Sequence, residues 1–255
     1  MPAVNVAKSI NKRRANEQIL KNQPLMEDGK LCLCVVHIKE LVKKEFDEIV
    51  LDFPTKLLKD EEERLRSQVP PSCFAISELT QFYFTKLGIV RLSSKVQMLQ
   101  NLKVLNLTRN NLKKLPETLT KITTLEDINV SHNDLEQCPL LPSSIVTVDL
   151  CSNLIMGISK EFQACNKLDR LILHTNRICS TDPEGFNGCD NLKQLDISHN
   201  KLDEFPVCLN RLESLEWLDI SHNSVKTIPE EFVVRNKNIR GLYSEFRNVN
   251  SSISV

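Results

Sequence analysis

The chain has 255 residues, 41% of them hydrophobic and 26% charged, with 33 basic residues balanced by 33 acidic ones. That suits one or two ordinary soluble domains with a sizeable core. The zero formal charge gives no general attraction to nucleic acid or an anionic membrane, and six glycines leave little for glycine-rich cofactor loops.

In chain order, residues 1–24 come first and are polar and basic, with five basic residues against Glu17. They are expected to form a flexible lead. Residues 25–75 do not repeat clearly and are expected to serve as an amino-terminal cap or a degenerate repeat. Within them Leu31–Val36 is a candidate strand. Ile38, Leu41, Val42 and Phe46 make a candidate helical stripe. Phe46, Ile49 and Leu51 resemble a worn repeat strand, and Pro70-Pro71 marks a boundary. No apolar signal core is visible at the start, and Leu31–Val36 is too short to span a bilayer.

From residue 76 to 243 the sequence repeats. Apolar residues open each unit at Leu79, Leu102, Leu125, Ile145, Leu168, Leu192 and Leu215, with Ile239 a weaker eighth. Successive spacings are 23, 23, 20, 23, 24, 23 and 24 residues. The six openers from Leu102 to Leu215 each begin a phrase L-x-x-L-x-L-x-x-N-x-L, and Asn110, Asn133, Asn153, Asn176, Asn200 and Asn223 hold its asparagine. Counting the opener as position 1, positions 1, 4 and 6 are expected to face inward from a short strand. Stacked units then share one continuous core. An amide offers two donors and an acceptor, so the asparagine can bond backbone groups of its own and the adjacent unit. After it, most units run L-x-x-L/F/I-P, as at Leu112–Pro116, Leu202–Pro206 and Val225–Pro229. A short helix is expected behind each strand. The exception is the unit from Leu125 to Ser144, where Pro139 and Pro142 favour an extended segment. Residues 244–255 lose the pattern and read as a tail.

These residues resemble intracellular leucine-rich-repeat proteins with L-x-x-L-P convex segments, of the Shoc-2-like repeat class. The resemblance implies an α/β repeat fold. In such a solenoid a concave parallel β-sheet is backed by short helices or extended segments on the convex side. It also implies a non-enzymatic protein-binding scaffold acting through the concave face. The alternative is a regulatory or targeting subunit of a phosphatase or ubiquitin ligase complex, with residues 1–75 as docking arm. A K/R-V/I-x-F phosphatase-docking motif is missing.

On that face positions 3 and 5 point outward. Position 3 contains the single tryptophan, Trp217, and Arg170. Position 5 contains Tyr83, Asp149, Asp196, Asp219 and Tyr243. These seven are the candidate partner-binding residues, because aromatic residues and arginine are favoured as anchors. Arg170 among Asp149, Asp196 and Asp219 also serves to neutralise like charges on adjacent strands. His132, His199 and His222, each in Ser-His-Asn, suggest a metal cluster less well than ordinary repeat vocabulary at a tolerant surface position 8. No catalytic, metal or cofactor residue is expected, and neither nucleic acid nor membrane insertion.

Cys165 and Cys189 occupy equivalent places, three residues before an opener, and read as small apolar core residues. Reduced cysteines point to a cytoplasmic location, with the nucleus open. The N-x-S/T triplets at Asn106 and Asn129 fall inside the strand pattern, so they are not expected to carry glycans.

Overall fold

Three inward positions per unit decide the architecture. Leu102, Leu105 and Leu107 are fully buried, and so are Leu125, Ile128 and Val130, Ile145, Val148 and Leu150, and Leu168, Leu171 and Leu173. A residue between two inward ones must point away, which is the alternation of a strand. The computed structural model describes residues 69, 71–75, 77, 79–86 and 88–244, and the strand segments Leu25–Glu27, Lys30–Cys32 and Ile49–Asp52. The other residues of 1–75, with the candidate helical stripe, and the tail beyond 244 lie outside them.

Eight regular strands follow the repeat: β4 (Leu79–Tyr83), β5 (Val104–Asn106), β6 (Asp127–Asn129), β7 (Thr147–Asp149), β9 (Arg170–Ile172), β11 (Gln194–Asp196), β12 (Trp217–Asp219) and β13 (Gly241–Tyr243). They pair in parallel, each with the next. Before them come β1 (Leu25–Glu27), β2 (Lys30–Cys32) and β3 (Ile49–Asp52). β3 pairs in parallel with both β2 and β4, with a register shift at Ile49/Val50, and β1 pairs antiparallel with β2. One eleven-stranded sheet results. Its register puts position 3 on position 3 and position 5 on position 5 from β4 to β13.

The convex side varies more than the repeat suggests. Short 3₁₀ segments occur at Pro71–Ala75, Ser94–Met98, Glu117–Lys121 and Val207–Arg211, and α1 spans Glu230–Arg235. Pro116, Pro206 and Pro229 each stand just before such a segment in extended conformation, a place with no use for a backbone donor. Three consecutive units have no helix. The unit with Pro139 and Pro142 is extended with turns. The next two contribute β8 (Gly157–Ile158) and β10 (Ser180–Thr181), which pair in parallel. Here Phe162 and Phe186 fill the interior, stacked with centroids 6.2 Å apart. Gly188 has φ +86°, and a Cβ there would run into the carbonyl of Gln163 on the neighbouring coil. Close coil contact replaces the helix.

The asparagines bond as their chemistry allows. Asn133 Oδ1 accepts from Leu112 N–H at 3.0 Å, and its Nδ2 donates to the carbonyls of Leu107 and Val130, both at 3.0 Å. Asn110, Asn153, Asn176, Asn200 and Asn223 repeat the arrangement. Each therefore fastens three backbone groups across its own coil and the preceding one. Position 8, expected to be tolerant, is constrained. Lys86, Arg109, His132, Ser152, Thr175, His199 and His222 all have positive φ, from 52° to 59°. This left-handed turn carries the ladder past the strand, as in the bond from Arg109 N–H to Ser131 O at 2.9 Å. Non-glycine residues adopt that conformation at a cost of about 1–2 kcal/mol each.

Candidate protein-binding face

The outward rows of the sheet follow from its register. In the position-3 row Arg170, Gln194, Trp217 and Gly241 are direct neighbours, and in the position-5 row so are Ile172, Asp196, Asp219 and Tyr243. Around them the face forms a hollow of about 510 Å³. Arg170, Asp196, Trp217 and Tyr243 line it, together with Gln194, Glu216, Arg240 and Gly241. Four of the seven expected contact residues therefore converge.

Trp217 and Tyr243 meet at a centroid distance of 5.6 Å, tilted by 52°. Gly241 makes room for the indole: a Cβ there would lie 2.6 Å from Trp217 Cδ1. Tyr243 is 53% exposed, so the pair offers apolar surface to a ligand as well as packing on itself. Arg240 and Glu216 sit on one rim with 3.7 Å between their charged groups. These two and Gln194 line the hollow without being among the seven residues expected from the sequence, as do Leu171 and Ile172. The alternation of charge along position 2, with Asp169, Lys193, Glu216 and Arg240 in turn, was the signal for the rim.

The other three candidates stand apart. Asp219 lies in the same row between Asp196 and Tyr243, yet does not line the hollow. Asp149 is one strand beyond it, opposite Ile172. Tyr83 is seven strand intervals from Tyr243, roughly 30 Å at the usual strand spacing, and its hydroxyl donates to Gln81 at 3.2 Å. The structure does not bring Tyr83 to the same site.

The position-5 aspartates also have structural work. Asp196 Oδ1 accepts from the N–H of Ser198 at 3.0 Å and from its hydroxyl at 2.7 Å. Asp219 does the same for Ser221, and Asp149 accepts from Cys151 N–H. Asn106 and Asn129 hold Thr108 and Ser131 identically. The triplets that read as glycosylation signals are thus side-chain caps on the turn out of the strand. In the aspartates one carboxylate oxygen is committed to that cap.

Electrostatics set Arg170 in context. Burial pushes the Asp127 carboxyl above its usual range, the charge of Asp149 pushes it further, and Arg170 pulls it back. Arg170 thus offsets acidic repulsion on its amino-terminal side while lining the hollow on the other. The core thiols are quiet: burial raises Cys165 and Cys189 to about 12, with Cys165 adding to the effect on Cys189. His199 and His222 stack at 3.9 Å, and among the described residues no group of three or more His, Cys, Asp or Glu side chains is placed to hold a metal ion.

The repeat is matched by the family model for the leucine-rich repeat over residues 77–135 and 166–225. This is a leucine-rich-repeat protein. Among solved structures, the solenoid is similar to a leucine-rich-repeat protein of Leptospira interrogans, with a TM-score of 0.70 and 23% identity, over 84% of this chain and 59% of that one. It is also similar to TLR13, solved in complex with ssRNA13, with a TM-score of 0.59 and 21% identity, over 83% of this chain and 34% of that one. The leucine-rich-repeat protein described here thus spans under two thirds of either neighbour, and both likenesses concern the fold. No curated protein matches the chain. Leucine-rich-repeat domains generally mediate protein interactions and are typically not enzymes. Among the described residues no helix is long and apolar enough to cross a membrane.

Proposed function

We propose that this protein is a non-enzymatic scaffold that binds a protein segment along its concave sheet and anchors it in the hollow around Trp217. The observation behind this reading is the hollow itself. It combines two aromatic rings, two arginines and two acids on a sheet whose main-chain groups are already paired. Such a surface can bury an apolar side chain and orient it by charge, which is the make-up of an interface hot spot. A cytoplasmic location forms part of the proposal. The seven cysteines from Cys73 to Cys208 are free and six of them are buried, as in a protein folded without disulfides.

The test compares partner capture by wild-type protein with capture by Trp217→Ala and Arg170→Glu. Both variants are expected to fold and to lose the captured protein. Capture undiminished in both would sink the concave-face reading.

A further inference from the structure

The neutral total hides a separation of charge along the solenoid. Residues 86–122 contain eight basic residues against one acid, Glu117, whereas residues 123–244 contain 11 basic residues against 18 acids. Five of the eight, Lys86, Arg91, Arg109, Lys113 and Lys114, lie where the chain leaves the strand and travels to the 3₁₀ segment of its own coil. All five are exposed. Their coils adjoin, because β4 pairs with β5. Lys86 and Arg109 share the same left-handed turn, both with φ 59°. Further along, cations are matched from coil to coil: Lys160 with Glu184 at 2.7 Å, Lys193 with Asp169 at 2.7 Å, Arg240 with Glu216 at 3.7 Å. Among the described residues no such ion pair occurs on the basic strip. Like charges on neighbouring coils repel and do nothing for the fold.

We propose that this strip is a second docking surface, and that its occupant is a short acidic protein segment bearing at least one apolar side chain. The apolar requirement comes from Val90, 43% exposed, and Met98, 53% exposed, in the first of the two coils. Two other polyanions fit less well. Residues 86–122 contain no aromatic residue, so the strip has no platform on which nucleic-acid bases could stack. An anionic membrane is broad and flat, and would meet the excess acid of the following coils as well as the basic strip. Adjacent coils are separated by ~4.8 Å, so the strip matches an extended peptide with a few carboxylates. Its charge also steers that peptide towards one end of the molecule.

The probe is a short fluorescein-labelled peptide of alternating Glu and Leu, with binding to the full chain followed by anisotropy at low and physiological salt. Binding is expected to weaken with salt. The triple variant Arg91→Glu/Lys113→Glu/Lys114→Glu should lose about tenfold or more in affinity, while Lys193→Glu/Arg211→Glu binds as wild type. If the charge-reversed triple variant fails to fold by circular dichroism, the milder Arg91→Gln/Lys113→Gln/Lys114→Gln takes its place and should still bind measurably more weakly. An oligothymidylate and phosphatidylserine-containing vesicles, run in parallel, should bind more weakly than the peptide. The proposal is overturned by failure of the peptide to bind, by equal binding to the folded triple variant, or by tighter binding of the oligonucleotide or vesicles.

Discussion

At the scale of single residues the asparagine ladder concentrates the stability of the fold. Asn153 is buried and joins Leu135 N–H to the carbonyls of Val130 and Leu150 at 3.0 Å each. Removing the amide leaves three backbone groups without partners, and each such group costs roughly 1–3 kcal/mol. Asn153→Ala should therefore lower stability by about 3 kcal/mol or more in urea denaturation. Asn153→Asp should not rescue it, since a carboxylate cannot donate. A second residue-scale expectation concerns Asp127, whose folded pKa is raised by burial first and Asp149 second. The folded state then holds this proton more tightly than the unfolded chain. Stability contributed by the neutral carboxyl is present at low pH and lost as pH rises through the unfolded and then the folded pKa. Asp127→Asn should be more stable than wild type at neutral pH, and the gain should vanish on acidification. Denaturation series at several pH values check this, and a gain independent of pH would contradict it. A third expectation follows from the left-handed turn. Thr175 is β-branched at φ 57°, so Thr175→Asn should raise stability by about 1 kcal/mol.

At the scale of elements, the strands were legible and their surroundings only partly so. Openers every 20 to 24 residues and the asparagines set the register, and the two outward rows of the sheet match it position for position. From that register Trp217 and Tyr243 could be placed on adjacent strands. The hollow between them could not, because it depends on Gly241 giving up a side chain. Left-handed position 8 was hidden because histidine, threonine, arginine and lysine occupy it instead of glycine. The caps at position 5 were harder to see: the Asn-x-Ser/Thr triplets fall inside the strand pattern, where no glycan is expected, and only the same spacing in Asp196–Ser198 and Asp219–Ser221 points to local bonding. The missing convex helices after residues 145 and 168 depend on stacked phenylalanines and close coil contact, which no local pattern announces. One element-scale prediction uses the single tryptophan. Gly241→Ala should displace the indole, shift Trp217 fluorescence and weaken partner capture, while circular dichroism stays that of the wild type. An unchanged emission spectrum would show that Gly241 does not set the position of the ring.

At the scale of the molecule each coil depends on its neighbours. Interior coils bury their inward residues completely, whereas Ile239 and Leu242 in the last described coil are only partly covered, as are Ile228 and Val233 before them. Backbone hydrogen exchange should therefore be slowest from β6 to β11 and faster in α1 and β13. This gradient bears on function, because the hollow lies towards the looser end, where a bound segment would add contacts to the last strands. A rigid scaffold with an adaptable end is a reasonable way to hold a partner. Site-specific photo-crosslinking in cells shows which face meets the partner, with the crosslinker placed either at Gln194 in the hollow or at Val207 on the convex side. Discrete protein adducts are expected from position 194, absent from position 207 and abolished by adding Trp217→Ala. Equal adducts from both positions, or adducts at 194 that survive Trp217→Ala, would contradict binding through the concave face.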